Sequence, residues 1–144
     1  MWFNPMMTWL IRSPFHSLVS KNMMLVSYTG RKSGKAYATP VNYFRLNDAR
    51  GEYLLTTSFR ERTWWRNLRG GGEVSLLLQG KQVKARAEAV EDEHSVAAEL
   101  LAYLREAPQY ARYQAVRLEA DGKPNAEDVA KAAKVRVVVR MRLA

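Results

Sequence analysis

The 144-residue chain has no cysteine and only two histidines, His16 and His94. The first absence excludes disulfides, thiolate nucleophiles and thiolate metal sites, and the second leaves too few imidazoles for a histidine metal centre, so no metal is expected. There is no carboxylate pair and no Ser/His/Asp set, which argues against hydrolysis by the chain's own side chains; an enzyme of this kind would rely on a cofactor. A Walker loop is missing, because the order Gly-x-x-x-x-Gly-Lys-Ser/Thr does not occur. Missing too is any run of about 20 apolar residues. Asn4, Pro5, Arg12, Pro14 and His16 break up the apolar N-terminal stretch, so neither a membrane span nor a signal sequence is expected and the protein reads as cytoplasmic. Acidic charge is the scarcer sign, 14 Asp+Glu against 23 Lys+Arg, and the resulting net charge of +9 points to an anionic partner: nucleic acid, an acidic membrane surface or a phosphorylated ligand.

With 47% hydrophobic residues, the chain can bury one core of its own, and a single domain over 1–144 is expected. Its first 21 residues place Met6, Trp9 and Leu10 at roughly helical spacing. This amphipathic segment, 1–21, would either cover one mouth of the core or rest as a foot on the inner face of the membrane. Strand-length segments follow at Met23–Tyr28, Ala38–Leu46, Tyr53–Thr57, Val74–Leu78, Lys81–Ala89 and Val135–Leu143. Gln79-Gly80 and Asn47–Gly51 carry hairpin chemistry. Helices are predicted over Thr63–Arg69, from Asp92 as N-cap to about Glu106, within Pro108–Leu118, and from Asn125 as N-cap to about Ala133. About six mostly antiparallel strands with covering helices make an α+β domain, and strands of this length close most naturally into a small barrel.

Three stretches could carry chemistry. In "SYTGRKSGKAYATPV", Gly30 and Gly34 bracket Arg31, Lys32 and Ser33: backbone amides, two cations and a hydroxyl that suit a phosphate cradle, or else a plain solvated turn. In "TTSFRERTWWRNLRGGG", Ser58, Arg60 and Arg62 precede adjacent tryptophans, one of which could form a flat wall for a planar ring while the other enters the core. Packing alone would also account for both. In "PQYARYQ", Tyr110 and Tyr113 share one helical face and either offer two phenols to a pocket or pack half-buried.

Taken together these stretches resemble the deazaflavin-dependent nitroreductase family, within the flavin- and deazaflavin-binding split β-barrel oxidoreductases. "TGRKSGK…P" carries most of the resemblance, supported by "WWRNLRGGGEVSLLLQG" and, more weakly, "YARYQ". The resemblance implies a split β-barrel holding coenzyme F420 in a basic groove. It also implies hydride transfer from the coenzyme's C5 carbon to an electron-poor small molecule: a quinone, an activated alkene or a nitro compound. By the same resemblance Arg31, Lys32 and Ser33, with Gly34 beside them, would hold the phosphate and acidic tail. Trp64 and Pro40, Val41 and Asn42 would lie near the ring, and Ser58, Tyr110 and Tyr113 would line the acceptor side as catalytic residues. The chain departs from the family pattern in three ways: Tyr37 stands near where another arginine is expected, Phe59 where lysine is common, and "LEADGKPNAEDVAKAAKV" is inserted before the last strand. Arg60, Arg62 or Arg66 could supply the missing cation. The alternatives are a split barrel that uses flavin mononucleotide and, less favoured, a nucleic-acid binder without enzymatic activity; monomer and homodimer both remain open.

Overall fold

A computed structural model describes residues 23–30 and 32–143. The helical segment expected over 1–21 and the cradle residue Arg31 lie outside the described residues. Among the described residues seven strands form one sheet: β1 (Met23–Thr29), β2 (Ala36–Asn42), β3 (Phe44–Asp48), β4 (Gly51–Phe59), β5 (Gly72–Leu78), β6 (Lys81–Val90) and β7 (Arg136–Leu143). Their order across the sheet is β2-β1-β5-β6-β7-β4-β3, and every pairing is antiparallel.

Seven strands replace the expected six because the run Ala38–Leu46 is not one strand. Its first part, up to Asn42, pairs with β1; after Tyr43 the chain changes partner, and Phe44 lies opposite Leu55 of β4. The two halves are therefore opposite edges of the sheet joined by one residue. A flat seven-stranded sheet would hold its edges far more than one residue apart, at about 4.8 Å per strand, so the sheet has to curl until they approach. The Thr56 hydroxyl spans the seam, donating to the Asn42 carbonyl at 2.5 Å.

Strand alternation then sorts the side chains. Met24, Val26, Val74, Leu76, Ala85, Ala87, Val137, Val139 and Met141 point into the curled sheet, where Trp65 and Leu68 also pack. Val138 and Leu55 point outward against α1 (Glu93–Glu106) and α2 (Ala126–Val135), which bury Val96, Leu100, Leu104, Val129 and Ala132 on that face. In β6 the exposed Lys84, Arg86 and Glu88 alternate with buried Ala85 and Ala87, as the sequence leads one to expect.

Turns and caps fix the register. Gln79 (φ 47°) and Gly80 (φ 83°) are both left-handed, the two-residue geometry that joins Leu78 to its partner Lys81. Asp92 accepts from the Ser95 amide at 2.9 Å and Asn125 from the Asp128 amide at 2.9 Å, so both expected N-caps are in place. The inserted segment is ordered by Asp128, which accepts from the Arg117 amide at 2.9 Å and its Nε at 2.7 Å. Beneath α1, Arg140 pairs with Glu99 and Asp48 while Arg142 pairs with Asp48. The Arg142 hydrogen bond is the main reason the Asp48 carboxyl falls to about 2. Among the described residues no helix is long and apolar enough to cross a membrane.

Candidate active site

A cleft of about 540 Å³ opens where the edge strand β2 meets the C-terminal half of β4. One wall is Thr39–Tyr43 together with Trp64, the first residue of a 3-10 helix over Trp64–Leu68. Trp64 is pinned by its indole: Nε1 donates to the Ser58 hydroxyl at 3.1 Å, and that hydroxyl lies 3.3 Å from the Phe59 carbonyl as donor. Trp65 turns the other way. It is 2% exposed, packs in the core and donates to the Phe59 carbonyl at 3.3 Å. Both tryptophans thus belong to the buried core, and of the two Trp64 also lines the cleft.

Behind Trp64 runs a row of rings. Tyr28 lies 6.4 Å from Trp64, Tyr37 stacks on Tyr28 at 5.8 Å, and the Tyr37 hydroxyl is 3.0 Å from Ser33 Oγ. The row ends at the β1–β2 loop, where Lys32, Ser33 and Gly34 are exposed and lie outside the cleft lining. The loop is closed by the Gly30 amide on the Lys35 carbonyl (2.8 Å) and the Gly34 amide on the Gly30 carbonyl (2.9 Å). Gly30 is required because a Cβ there would sit 2.6 Å from the Tyr37 ring, and Gly34 because its φ is +68°.

The opposite wall is tyrosine-rich. Tyr103 of α1 stacks on Tyr110 at 6.2 Å, and Tyr110 lies 6.3 Å from Tyr113 in the 3-10 helix Pro108–Gln114. Burial pushes the Tyr103 phenol up to about 12, whereas Tyr113 is 79% exposed at the mouth. Gln114 donates from Nε2 to the Thr57 hydroxyl at 3.2 Å; its Oε1 is buried and has no hydrogen-bond partner among the described residues.

Among the described residues two cations line the cleft, Arg62 and Arg136, and no carboxylate does. Arg136 is 8% exposed, its guanidinium sits 4.9 Å over the Phe59 ring, and burial lowers its pKa. Arg60 is not in the lining: its guanidinium donates to the carbonyls of Glu91 (2.5 Å) and Ala133 (3.0 Å). Arg66 lies 5.5 Å over the Trp65 ring.

Of the residues singled out by sequence, the cleft therefore gathers Pro40, Val41, Asn42, Ser58, Arg62, Trp64, Tyr110 and Tyr113; Lys32, Ser33 and Gly34 stand beyond the ring row, and Arg60 and Arg66 lie elsewhere. Sequence reasoning passed over Gln114 and Arg136. Arg136 looks like one of three arginines alternating with valines on a wet strand, and nothing local distinguishes it from Arg140 or Arg142, which find carboxylates.

Residues 14–119 match the model of the F420H2-dependent quinone reductase family, so the chain belongs to that family. It is an oxidoreductase whose cofactor is coenzyme F420. Among solved structures, an F420-H2 dependent reductase is 20% identical with a TM-score of 0.44, over 83% of this chain and 94% of that one. A pyridoxamine 5′-phosphate oxidase-related, FMN-binding protein from Nostoc punctiforme is 12% identical with a TM-score of 0.53, over 99% and 83%. The FAD and heme binding protein of Mycobacterium smegmatis is 13% identical with a TM-score of 0.50, over 92% and 67%. At these identities the last two likenesses speak for the fold alone. No curated protein matches the chain.

Proposed function

We propose that the cleft holds the deazaflavin ring against Trp64 and reduces a quinone, or another electron-poor acceptor such as an activated alkene or nitro compound, on its tyrosine side. In this reading the curled sheet is a split β-barrel with its seam at Tyr43 and its active site along that seam. The observation that carries the proposal is the composition of the cleft: a flat, hydrogen-bonded indole on one wall, phenols on the other and, among the described residues, cations in the lining but no carboxylate. The indole supplies area for a planar ring and Arg62 supplies charge for an anionic coenzyme.

Reduced F420, when bound, supplies a hydride from C5. The chain's own residues do the rest. Pro40, Val41 and Asn42 offer the edge of β2 to the ring, and Ser58 fixes the plane of Trp64 so that ring and acceptor stack in one orientation. Lys32, Ser33 and Gly34 hold the phosphate at the exposed loop, together with Arg31, and Arg62 takes the place of the cation that Tyr37 does not supply. Tyr110 is packed among Tyr103, Phe44 and Tyr113 and shapes the acceptor wall. Tyr113 stands at the mouth and passes a proton from water to the reduced acceptor.

The test is a tryptophan-quenching titration with F420 and, separately, with flavin mononucleotide, in the wild type and in Trp64→Phe. F420 should bind more tightly and quench less in the variant. Tighter binding of the flavin would overturn the assignment.

A further inference from the structure

Arg136 stands outside the family match, which ends at residue 119, and follows directly on the inserted helix α2. It is a nearly buried cation with no carboxylate within salt-bridge distance among the described residues; its neighbour is the Phe59 ring. A buried charge without a counter-charge costs several kcal/mol, on the order of a whole salt bridge's desolvation, unless something supplies the opposite sign. Arg136 pairs with Phe59 on the face of β4 that also carries Thr57, to which Gln114 of the tyrosine wall is bonded, so its guanidinium belongs to the tyrosine side of the cleft.

We propose that Arg136 is a specificity-determining residue for the acceptor, its guanidinium taking the anionic oxygen that develops as a quinone is reduced. The species it fits best is the hydroquinone monoanion. The balance of the step requires that species. A C–H bond of the reduced coenzyme breaks, its electron pair and hydrogen form an O–H bond on the quinone, and the ring electrons move to the opposite oxygen, which becomes the anion. The coenzyme is oxidised by two electrons, and a proton from solvent completes the hydroquinone. A fixed cation at the developing oxyanion favours this step without favouring the neutral quinone equally.

The inference rests on the F420 reading of the cleft, so its experiment runs on the full chain without coenzyme, with F420 affinity measured separately. The probes are 2-hydroxy-1,4-naphthoquinone, a coloured acid that carries its anion at neutral pH, and 1,4-naphthoquinone, its uncharged counterpart. The wild type should bind the anion at least about tenfold more tightly than the neutral ring, the worth of a charge-assisted hydrogen bond, and should lower the probe's own pKa as read from its visible spectrum. Arg136→Met should abolish both effects, Arg136→Lys should retain part of each, and F420 affinity should stay within about twofold in both variants. Because the free cation is uncompensated, Arg136→Met should melt at the wild-type temperature or above. The inference is overturned if the wild type shows no preference for the anion, if Arg136→Met keeps that preference, or if the variant loses F420 affinity instead. A melting point lowered in Arg136→Met with the preference intact would make Arg136 structural and overturn it as well. Failure of F420 to bind the wild type would sink the cofactor assignment while leaving the probe result readable.

Discussion

Ser58→Ala isolates what holds the cleft wall in place. The substitution deletes the acceptor of the Trp64 indole N–H, a 3.1 Å bond between side chains that are 9% and 8% exposed. Removing an exposed hydrogen bond would cost about 0.5–1.5 kcal/mol, but stranding a buried donor adds its desolvation, so about 1–3 kcal/mol is expected. Phenylalanine at position 64 has no N–H to strand. In a Trp64→Phe background Ser58→Ala should then cost only a few tenths of a kcal/mol, giving a coupling energy of about 1–2 kcal/mol between the two positions. Urea unfolding followed by far-ultraviolet circular dichroism measures all four corners of the cycle without depending on the tryptophan signal. If Ser58→Ala costs the same in both backgrounds, the hydroxyl does not pin the indole and its place in the mechanism must be reassigned. If the pinning argument holds, Ser58→Ala should also weaken F420 binding several-fold, because a ring free to tilt no longer offers one preorganised plane.

Arg60→Met should lower stability by roughly 2–3 kcal/mol, since two carbonyls lose a charged donor, while F420 affinity stays within about twofold; chemical denaturation and coenzyme titration on one sample separate the two. Arg62→Gln should do the reverse, weakening F420 about tenfold and changing stability by less than roughly 0.5 kcal/mol. In Gly30→Ala the new Cβ would meet the Tyr37 ring at 2.6 Å and Ser33 Oγ at 2.9 Å, so about 1–2 kcal/mol of stability and part of the coenzyme affinity should be lost. The Tyr103 phenol is raised from 10.0 to about 12, so the unfolded chain gives up this proton first: the stabilisation is whole below pH 10 and disappears as pH rises toward 12. Tyr103→Phe should flatten that alkaline decline in an unfolding series, and an unchanged slope would refute it.

The α+β class and most strand positions were legible because alternation in β6 and β7 and the caps at Asp92 and Asn125 are local signals. The seventh strand was not legible. Tyr43 carries no breaker chemistry, and the change of partner there is imposed by sheet closure, which no short window contains. The same limit separates the site residues. Trp64, the tyrosines and the Pro40–Asn42 edge belong to recognisable motifs and do converge on one cleft. Arg60 and Arg62, two residues apart with the same side chain, have opposite fates. One reaches carbonyls contributed by Glu91 and Ala133, far along the chain, and the other enters the cleft.

The excess of basic residues invited the idea of a charged surface for a large anionic partner, yet several of those cations already have partners within the chain. Arg117 is committed to Asp128, Arg140 to Glu99 and Asp48, Arg142 to Asp48, Arg45 to Glu52, and Arg60 to backbone carbonyls. Against this background the cleft stands out because Arg62 and Arg136 share it with no carboxylate among the described residues. Tyr37 explains part of the distribution. A ring at that position links the β1–β2 loop through Tyr28 to Trp64; an arginine there would bring charge and lose that link. Position 37 thus supplies a ring and no charge; in the loop after β4, Arg60 turns inward onto backbone carbonyls, and the exposed Arg62 is the cation that reaches the cleft lining.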